Sequence, residues 1–163
     1  MSKLIPLTQG KFAIVDDEDF AWLSQLKWHA QCEHKGMRWQ NWNARNRIKG
    51  AMHRLILAAP RALEIDHVNG DGLDNRRVNL RLATSVENKR NQRRHTPKTF
   101  PFKGVAHHYS NGKRSNRYLA RIVVNRRHKF LGSFLTIEEA ALAYNAAALK
   151  HYGEFARLNQ IKE

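Results

Sequence analysis

The sequence predicts an α+β protein with two modules, a strand–loop–strand–helix module followed by a three-stranded antiparallel sheet packed on one helix. Two observations carry this prediction: short alternating apolar segments separated by Gly, Asn and Asp, and two helical segments that begin with capping-box spacing. With 163 residues, 42% of them hydrophobic, the chain is long enough for two small cores. We expect a first module over residues 1–91, a basic linker over 92–102 and a second module over 103–163. Pro97 and Pro101 stop regular structure in the linker.

The first module begins with a predicted hairpin, because Gly10 lies between two short apolar runs. Asp16 or Asp17 can then cap a short helix, DEDFAWLSQL, whose apolar residues recur on one side. The segments WQNWNAR and AMHRLIL follow, separated by the turn IKG, and we expect both to be strands.

The end of the first module is predicted to form a strand, a loop and a return strand, from LEIDHVNGDGLDNRRVNLRLAT. Gly70 and Gly72 interrupt the apolar pattern and mark the loop. The next segment, TSVENKRNQ, is predicted to be a helix, because Thr84 and Glu87 have the three-residue spacing of a capping box.

The second module predicts three strands, from GVAHHYS, YLARIVVN and HKFLGSF, with turns at Asn111-Gly112 and at Asn125. A helix then follows from TIEEAALAYNAAALKHYG. Its alanine-rich stripe allows close packing on the sheet. Thr136 and Glu139 form a second capping box, and the glycine at the end of the segment supplies the stop.

Positive charge is confined to the middle of the chain. Of the formal net charge of +15, residues 1–75 hold +1, residues 76–135 hold +15 and residues 136–163 hold −1. A block of this kind repels itself unless a polyanion neutralises it, so nucleic acid is the favoured partner. We expect double-stranded DNA as the partner, no membrane partner and no small-molecule cofactor.

Cysteine content and hydropathy exclude several classes of protein. Cys32 is the single cysteine, which excludes a disulfide scaffold and a Cys-rich zinc cluster. No apolar run approaches the length of a transmembrane helix, and the opening MSKLIPLTQGKF lacks the apolar stretch of a secretory signal. We therefore expect a cytoplasmic protein that is not secreted, in the host cytoplasm if a phage encodes it.

Four polar residues form the candidate catalytic constellation: Asp66 and His67, Asn79 twelve residues after the histidine, and Asn88 nine further on. We expect Asp66 and Asn88 to meet as two oxygen ligands for a hard cation such as Mg²⁺. His67 would lie beside the metal and accept a proton from water. Asn79 would either accept the other ring N–H of His67 or brace a loop through backbone hydrogen bonds. A buried Asp66–His67 pair without catalysis is the alternative.

These residues lie in IDHVNGDGLDNRRVNLRLATSVENKRNQ, which resembles the HNH (ββα-metal) nuclease motif of phage and intron-encoded homing endonucleases. The resemblance extends to MHRLIL, which contains His53, and to the opening IPLTQGKFAIVDDEDFAWLSQLKWHA. It implies that Asp66 and Asn88 bind one divalent metal and that His67 activates the attacking water. Asn79 matches the middle Asn of the motif. Because the last ligand is Asn rather than His, the resemblance implies Mg²⁺ or Mn²⁺ rather than Zn²⁺.

The second module resembles the plant Apetala-two/ethylene-response-factor (ERF) DNA-binding domain over residues 103–159. The matching residues include Gly104-Val105, Ala120-Arg121-Ile122, Leu131-Gly132, Phe134, the Glu138-Glu139-Ala140-Ala141 run, Ala143-Tyr144 and Asn159. The resemblance implies that a three-stranded sheet enters the major groove of DNA. Arg117, Arg121 and Arg126 are expected on the matching strands. Tyr118 stands where the family commonly has Trp, and we count it among the DNA contacts.

Further candidate residues surround the motif. Six arginines are predicted phosphate contacts, with a solvated basic face as the alternative: Arg76, Arg77, Arg81, Arg90, Arg93 and Arg94. His53 either packs under the site or contacts a phosphate. Trp39 or Trp42 is a candidate for stacking on a base, although core packing is the commoner role. Asp74 and Asn75 are expected to brace the loop.

Together these features predict a site-specific DNA endonuclease of the homing type. One active site per chain predicts that a monomer nicks one strand, so that a double-strand break requires two chains or two visits. The main alternative is a non-catalytic DNA-binding regulator with a relic nuclease motif. A non-specific nuclease is less favoured because it needs no separate DNA-reading module, and an RNA-directed activity is less favoured because no ribonucleoprotein aromatic motif is present.

Overall fold

The structure is a computed structural model that describes residues 1–33, 41–92 and 101–161. The chain divides into two compact units, Met1–Lys89 and Arg90–Glu163. Most of the predicted linker, and Trp39 with it, lies outside the described residues. Within the described ranges, no helix has both the length and the apolar character needed to cross a bilayer. The mixture of helices and antiparallel sheets agrees with the predicted α+β class.

The first 91 residues form three small antiparallel sheets and three short helices, in the part of the chain that the structure describes. In chain order these are β1 (Ser2–Pro6), β2 (Phe12–Asp16), α1 (Asp17–Leu23), β3 (His29–Cys32), β4 (Trp42–Asn46), β5 (Gly50–Ala51), α2 (Met52–Ile56), β6 (Glu64–His67), β7 (Leu80–Ala83) and α3 (Ser85–Asn91). β1 pairs with β2, β4 lies between β3 and β5, and β6 pairs with β7. The predicted hairpin at Gly10 and the predicted strand–loop–strand–helix of the motif are both confirmed.

One predicted strand is wrong. The segment AMHRLIL forms the helix α2, preceded by the two-residue strand β5. Its two buried residues, Met52 and Ile56, lie four positions apart, which is the spacing of one helical face rather than of one strand face. The apolar run was too short to distinguish the two periods, and the correction places His53 on a helix.

The core of the first unit joins its sheets and helices. Its buried residues are Ile5, Ala13, Val15, Leu23, Trp28, Ala44, Met52, Ile56, Ile65 and Leu80. Because Ile65 belongs to β6 and Leu80 to β7, both strands of the motif are anchored in this core. Burial of apolar side chains thus fixes the backbone from which Asp66 and His67 project.

The N-terminal hairpin is also bound directly to the β6–β7 loop. Ile14 donates its backbone N–H to the Leu73 carbonyl at 2.9 Å, and its carbonyl accepts from the Asn75 N–H at 2.7 Å. Asp16 accepts from the backbone N–H of Arg77 at 2.7 Å through Oδ2. The loop of the motif is therefore held by residues about sixty positions earlier in the chain.

The second unit consists of a three-stranded antiparallel sheet and one long helix within its described residues. The strands are β8 (Val105–Ser110), β9 (Lys113–Val124) and β10 (Arg127–Phe134), and the helix is α4 (Ile137–Tyr152). β9 lies in the centre, and the two hairpin turns carry positive φ angles at Asn111-Gly112 and Asn125-Arg126. The three predicted strands and the helix are confirmed.

Helix α4 lies close on the sheet because its buried stripe is mostly alanine. Ala140, Ala141 and Tyr144 pack against Ala120 and Ile122 of β9. Gly104, just before β8, has φ +76°, and a Cβ there would overlap the Tyr144 ring. The predicted capping box is confirmed, since the side chains of Thr136 and Glu139 and the two backbone N–H groups form reciprocal hydrogen bonds.

Candidate active site

Strand pairing places the first two candidate residues at the end of β6. Asp66 lies opposite Arg81 of β7, and His67 lies opposite Leu80. Helix α3 begins directly after β7, where Thr84 and Glu87 form the predicted cap: Glu87 Oε2 accepts from the Thr84 N–H at 2.8 Å, and the Glu87 N–H donates to Thr84 Oγ1 at 3.3 Å. The cap fixes the first turn of α3, which carries Asn88.

The Asp66 carboxylate is buried and paired with an arginine. Asp66 is 3% exposed, and its Oδ2 accepts from Arg81 Nε at 2.8 Å and from Arg81 Nη2 at 2.5 Å. The pair forms because the two residues are direct cross-strand neighbours in the register. A buried carboxylate needs such a counter-charge, which a metal ion or a guanidinium can supply.

Asn88 is held over the same strand. Its Nδ2 donates to Glu64 Oε2 at 2.6 Å. Glu64 and Asp66 are two residues apart on β6 and thus share one face of the strand. Because the amide nitrogen is engaged with Glu64, the acceptor atom Oδ1 is the remaining polar atom of this side chain.

The chemistry of these residues fits a hard divalent cation. Mg²⁺ is commonly held by one or two carboxylates, with water and phosphate oxygens completing the octahedron. Asp66 and Asn88 supply one carboxylate and one amide oxygen to this side of the first unit. Within the described residues no cluster of three or more His, Cys, Asp or Glu side chains could hold a metal, so a closed zinc-type site is not formed there.

His67 lies in a largely buried environment that favours its neutral form. Burial is the largest influence on the His67 pKa and lowers it from the ordinary value of 6.5, against the opposing effect of nearby carboxylates, chiefly Asp66. The side chain of Asn75, which is 0% exposed, interacts with the imidazole and also acts to raise the pKa. The net shift is downward, so His67 is neutral at neutral pH.

A second imidazole packs against His67. The rings of His53 and His67 are 5.1 Å apart between centroids and meet edge to face at 80°. Burial is the main reason that the pKa of His53 falls to about 3, and the neighbouring His67 adds a smaller lowering effect. His53 is thus a neutral support beside His67, which matches the packing role among its two predicted roles.

Asn79 takes the second of its two predicted roles. Its Oδ1 accepts from the backbone N–H of Asn69 at 2.9 Å, and its Nδ2 donates to the carbonyl of Asp74 at 2.7 Å. Both ends of the amide therefore brace the β6–β7 loop. The amide that interacts with His67 is Asn75. Sequence reasoning assigned Asn75 to the loop because the Asp74-Asn75 pair has a turn composition.

Comparison with known proteins relates part of the chain to HNH endonucleases. Residues 51–90 match a family model described as HNH endonuclease. An uncharacterized HNH endonuclease of Acanthamoeba polyphaga mimivirus is 28% identical over 155 residues, which cover 94% of this chain and 77% of the relative. The matched residues, here called the HNH segment, run from β5 through most of α3 and include all four candidate residues. The family points to a nuclease that hydrolyses DNA. The match ends at Arg90, the first residue of the second unit, whose Apetala-two/ERF-like character stays a prediction.

Within the HNH segment, the loop between β6 and β7 is closely packed and internally bonded. Asp74 accepts from Asn69 Nδ2 at 2.9 Å and from Arg76 Nε at 2.8 Å, and these hydrogen bonds, that of Arg76 first, lower the pKa of Asp74. Gly72 approaches β4 so closely that a Cβ there would overlap the Asn43 side chain. The loop residues are thus fixed independently of any ligand.

Three of the predicted phosphate contacts in the HNH segment form ion pairs with carboxylates. Arg76 pairs with Asp74, Arg77 with Glu18 and with the buried Asp19, and Arg81 with Asp66. The side chains of Arg76 and Arg77 are 39% and 45% exposed, whereas that of Arg81 is 14% exposed, so phosphate contact and a solvated face stay predictions for the first two. Arg90, in the second unit, lies 4.7 Å above the ring of Tyr152. Arg93 and Arg94 lie outside the described residues.

The four DNA-contact candidates of the second unit lie at three kinds of position: the exposed face of β9, its core-facing side and the β9–β10 turn. Arg117 and Arg121 are exposed on the face of β9 opposite the buried residues that contact α4. Tyr118 lies on the other face, where it packs on the core and stacks on His107 at 5.6 Å. Arg126 lies in the β9–β10 turn with φ +64°, rather than on a strand. The predicted strand position of Arg126 is therefore wrong, because Asn125 and Arg126 form the two-residue turn, and DNA contact by Tyr118 stays a prediction.

Proposed function

We propose that this protein is a metal-dependent, site-specific DNA endonuclease of the homing type, which nicks one strand per active site. The observation that supports the proposal is the hydrogen bond of Asn88 to Glu64, which holds Asn88 of α3 against the face of β6 that carries Asp66, the chain neighbour of His67, within the segment matched by the HNH family model. Asp66 and Asn88 would hold Mg²⁺ or Mn²⁺, through a carboxylate and an amide oxygen. A divalent cation in such a site supplies Lewis-acid stabilisation of the charge that develops on the phosphoryl group and the leaving oxygen.

The protein's own part of the reaction is proton transfer and positioning. His67, kept neutral by burial, accepts the proton of the attacking water. Asn75 interacts with the imidazole and His53 packs against its edge, so the ring is restrained on two sides. Asn79 holds the loop that carries Asn75, which makes it a positioning residue.

We assign DNA binding to the exposed face of the sheet in the second unit. Arg117 is pre-positioned by Ser133, since its Nε donates to Oγ at 2.9 Å and its Nη2 to the backbone carbonyl at 2.6 Å. Arg121 lies four residues further along β9, on the same exposed face. Exposed arginines on a sheet surface suit contacts with phosphates and base edges in a groove.

A specific observation favours a second function, a DNA-binding regulator without catalysis. Arg81 already neutralises Asp66, and a carboxylate satisfied by an arginine needs no metal. The nuclease requires that a cation compete with, or share, this carboxylate. The two functions therefore differ in whether a divalent metal binds at Asp66.

Supercoiled plasmid, incubated with purified protein and Mg²⁺, distinguishes the two functions. The nuclease converts supercoiled plasmid to the nicked form, and EDTA stops the conversion. A regulator binds the same DNA equally well with and without EDTA and leaves it supercoiled. Absence of metal-dependent nicking by the wild-type protein would reject the nuclease.

A further inference from the structure

We propose that Glu64 is a positioning residue that sets the divalent-metal affinity of the site by fixing the orientation of the Asn88 amide. Nothing in the motif assigns a role to Glu64, which is exposed at the start of β6. The inference rests on the proposed function, because it concerns the same metal site.

The contact between the two side chains is short and well defined. Asn88 Nδ2 donates to Glu64 Oε2 at 2.6 Å, across 24 positions of sequence. The Asn88 backbone N–H donates to the Thr84 carbonyl at 3.0 Å, which fixes the helical turn below the side chain. Glu64 therefore belongs to a strand, β6, and Asn88 to a helix, α3, so the backbone of both residues is held by regular secondary structure.

The direction of this hydrogen bond determines which atom of the Asn88 amide can coordinate a cation. An asparagine amide has two ends of nearly equal size, one a donor and one an acceptor, and rotation by 180° exchanges them. A glutamate carboxylate at neutral pH accepts hydrogen bonds only, so the NH₂ end must face Glu64. The oxygen end then faces away from Glu64 and is available as a metal ligand.

Glu64 acts through Asn88 rather than as a ligand itself. Its Oε2 is engaged by the Asn88 amide, and it lies two residues, roughly 7 Å along the strand, from Asp66. Partners that orient a metal ligand typically change metal affinity by about 10- to 100-fold when removed.

Mn²⁺ binding measured by electron paramagnetic resonance tests the inference without relying on cleavage. We expect Glu64→Ala to weaken Mn²⁺ binding by about tenfold. Glu64→Gln keeps an acceptor oxygen for the Asn88 amide, and we expect it to stay within about threefold of wild type. The matched control is Glu33→Ala, which removes one exposed carboxylate elsewhere in the first unit and leaves Mn²⁺ affinity unchanged. The inference is overturned if Glu64→Ala binds Mn²⁺ as tightly as wild type. It is also overturned if Glu64→Gln binds as weakly as Glu64→Ala, because the charge of Glu64 or its direct ligation of the metal would then explain the lost affinity.

Two further measurements separate this inference from the proposed function. In nicking assays, Glu64→Ala should raise the Mn²⁺ concentration for half-maximal activity by about tenfold, with the rate at saturating metal close to that of wild type. The double variant Glu64→Ala/Asn88→Ala should bind Mn²⁺ no more weakly than Asn88→Ala alone, because Glu64 acts through Asn88. Additive losses overturn the positioning role alone. Failure of wild type to bind Mn²⁺ overturns both proposals.

Discussion

Arginines serve different purposes in the two units. In the HNH segment, Arg76, Arg77 and Arg81 each pair with a carboxylate. On β9 of the second unit, Arg117 bonds to a serine and Arg121 is exposed on the outer face of the sheet. The sequence places all five in one basic block, yet the first group is paired with carboxylates, and the ion pairs found among the described residues include neither Arg117 nor Arg121. At a distance, the electric fields of the two charges in an ion pair largely cancel. A count of basic residues therefore overestimates the positive potential around the first group.

The largest expected effect separates chemistry in the first unit from binding in the second. We expect His67→Ala to reduce nicking by about 10³-fold, because a general base contributes of this order to the rate. DNA affinity measured by fluorescence anisotropy should stay close to wild type, since binding is assigned to the other unit. Circular dichroism of the variant controls for folding. Nicking by His67→Ala at the wild-type rate would remove the base assignment.

The next effect tests whether the arginines of the first unit are structural. Arg77→Met leaves the Asp19 carboxylate, 3% exposed at its side chain, without its cationic partner and with the Trp22 indole N–H as its remaining side-chain donor. Because Arg77 itself is 45% exposed, water compensates part of the loss, and we expect the free energy of unfolding to fall by about 2 kcal/mol. Arg121→Met is the matched control, with a change within about 0.5 kcal/mol. Equal urea midpoints for the two variants would contradict the comparison.

A smaller effect tests the exposed arginines of the second unit. We expect Arg121→Ala to weaken DNA binding by about tenfold and to reduce the salt dependence of binding, because one phosphate or base contact is lost. Lys150→Ala removes a positive charge from the exposed part of α4 in the same unit and should change affinity by less than about twofold. Equal losses in the two variants would mean that net charge, and not the sheet face, determines binding.

The smallest expected effect is on the pH dependence of nicking, which tests the environment of His67. Burial lowers its pKa below 6.5, so at pH 6.5 more than half of the imidazoles are neutral and able to accept a proton. We therefore expect nicking at pH 6.5 to exceed half of the plateau rate, and to decline as the pH falls through the lowered pKa. A pH profile with its acid midpoint above 6.5 would show that burial does not govern this group.

Local signals in the sequence were sufficient to predict much of the fold. Gly10, the Asn-Gly turn at 111–112 and the Thr136–Glu139 spacing act over a few residues, and the elements that they mark are all present. The strand–loop–strand–helix order of the motif follows from the same kind of signal. The segment around His53 was misassigned because its apolar run is too short to show a helical period.

Long-range pairing explains what the sequence did not predict. Arg77 finds Asp19 across 58 positions, and Asn88 finds Glu64 across 24. These partners depend on how α1 packs near Arg77 and how α3 packs on β6, which no local pattern in the sequence indicates. Asn75 was recognised only as a turn residue, because its interaction with His67 depends on the folded loop.

The attachment of the N-terminal hairpin to the β6–β7 loop limits how the first unit can be divided. A peptide spanning only residues 51–90 would keep every residue of the motif, yet it would lose Ile14, Asp16 and Asp19, which bind the loop backbone and Arg77. Grafting the motif onto another scaffold would therefore require the hairpin and α1 as well. The smallest unit that keeps these contacts begins at the first strand of the chain and not where the motif begins.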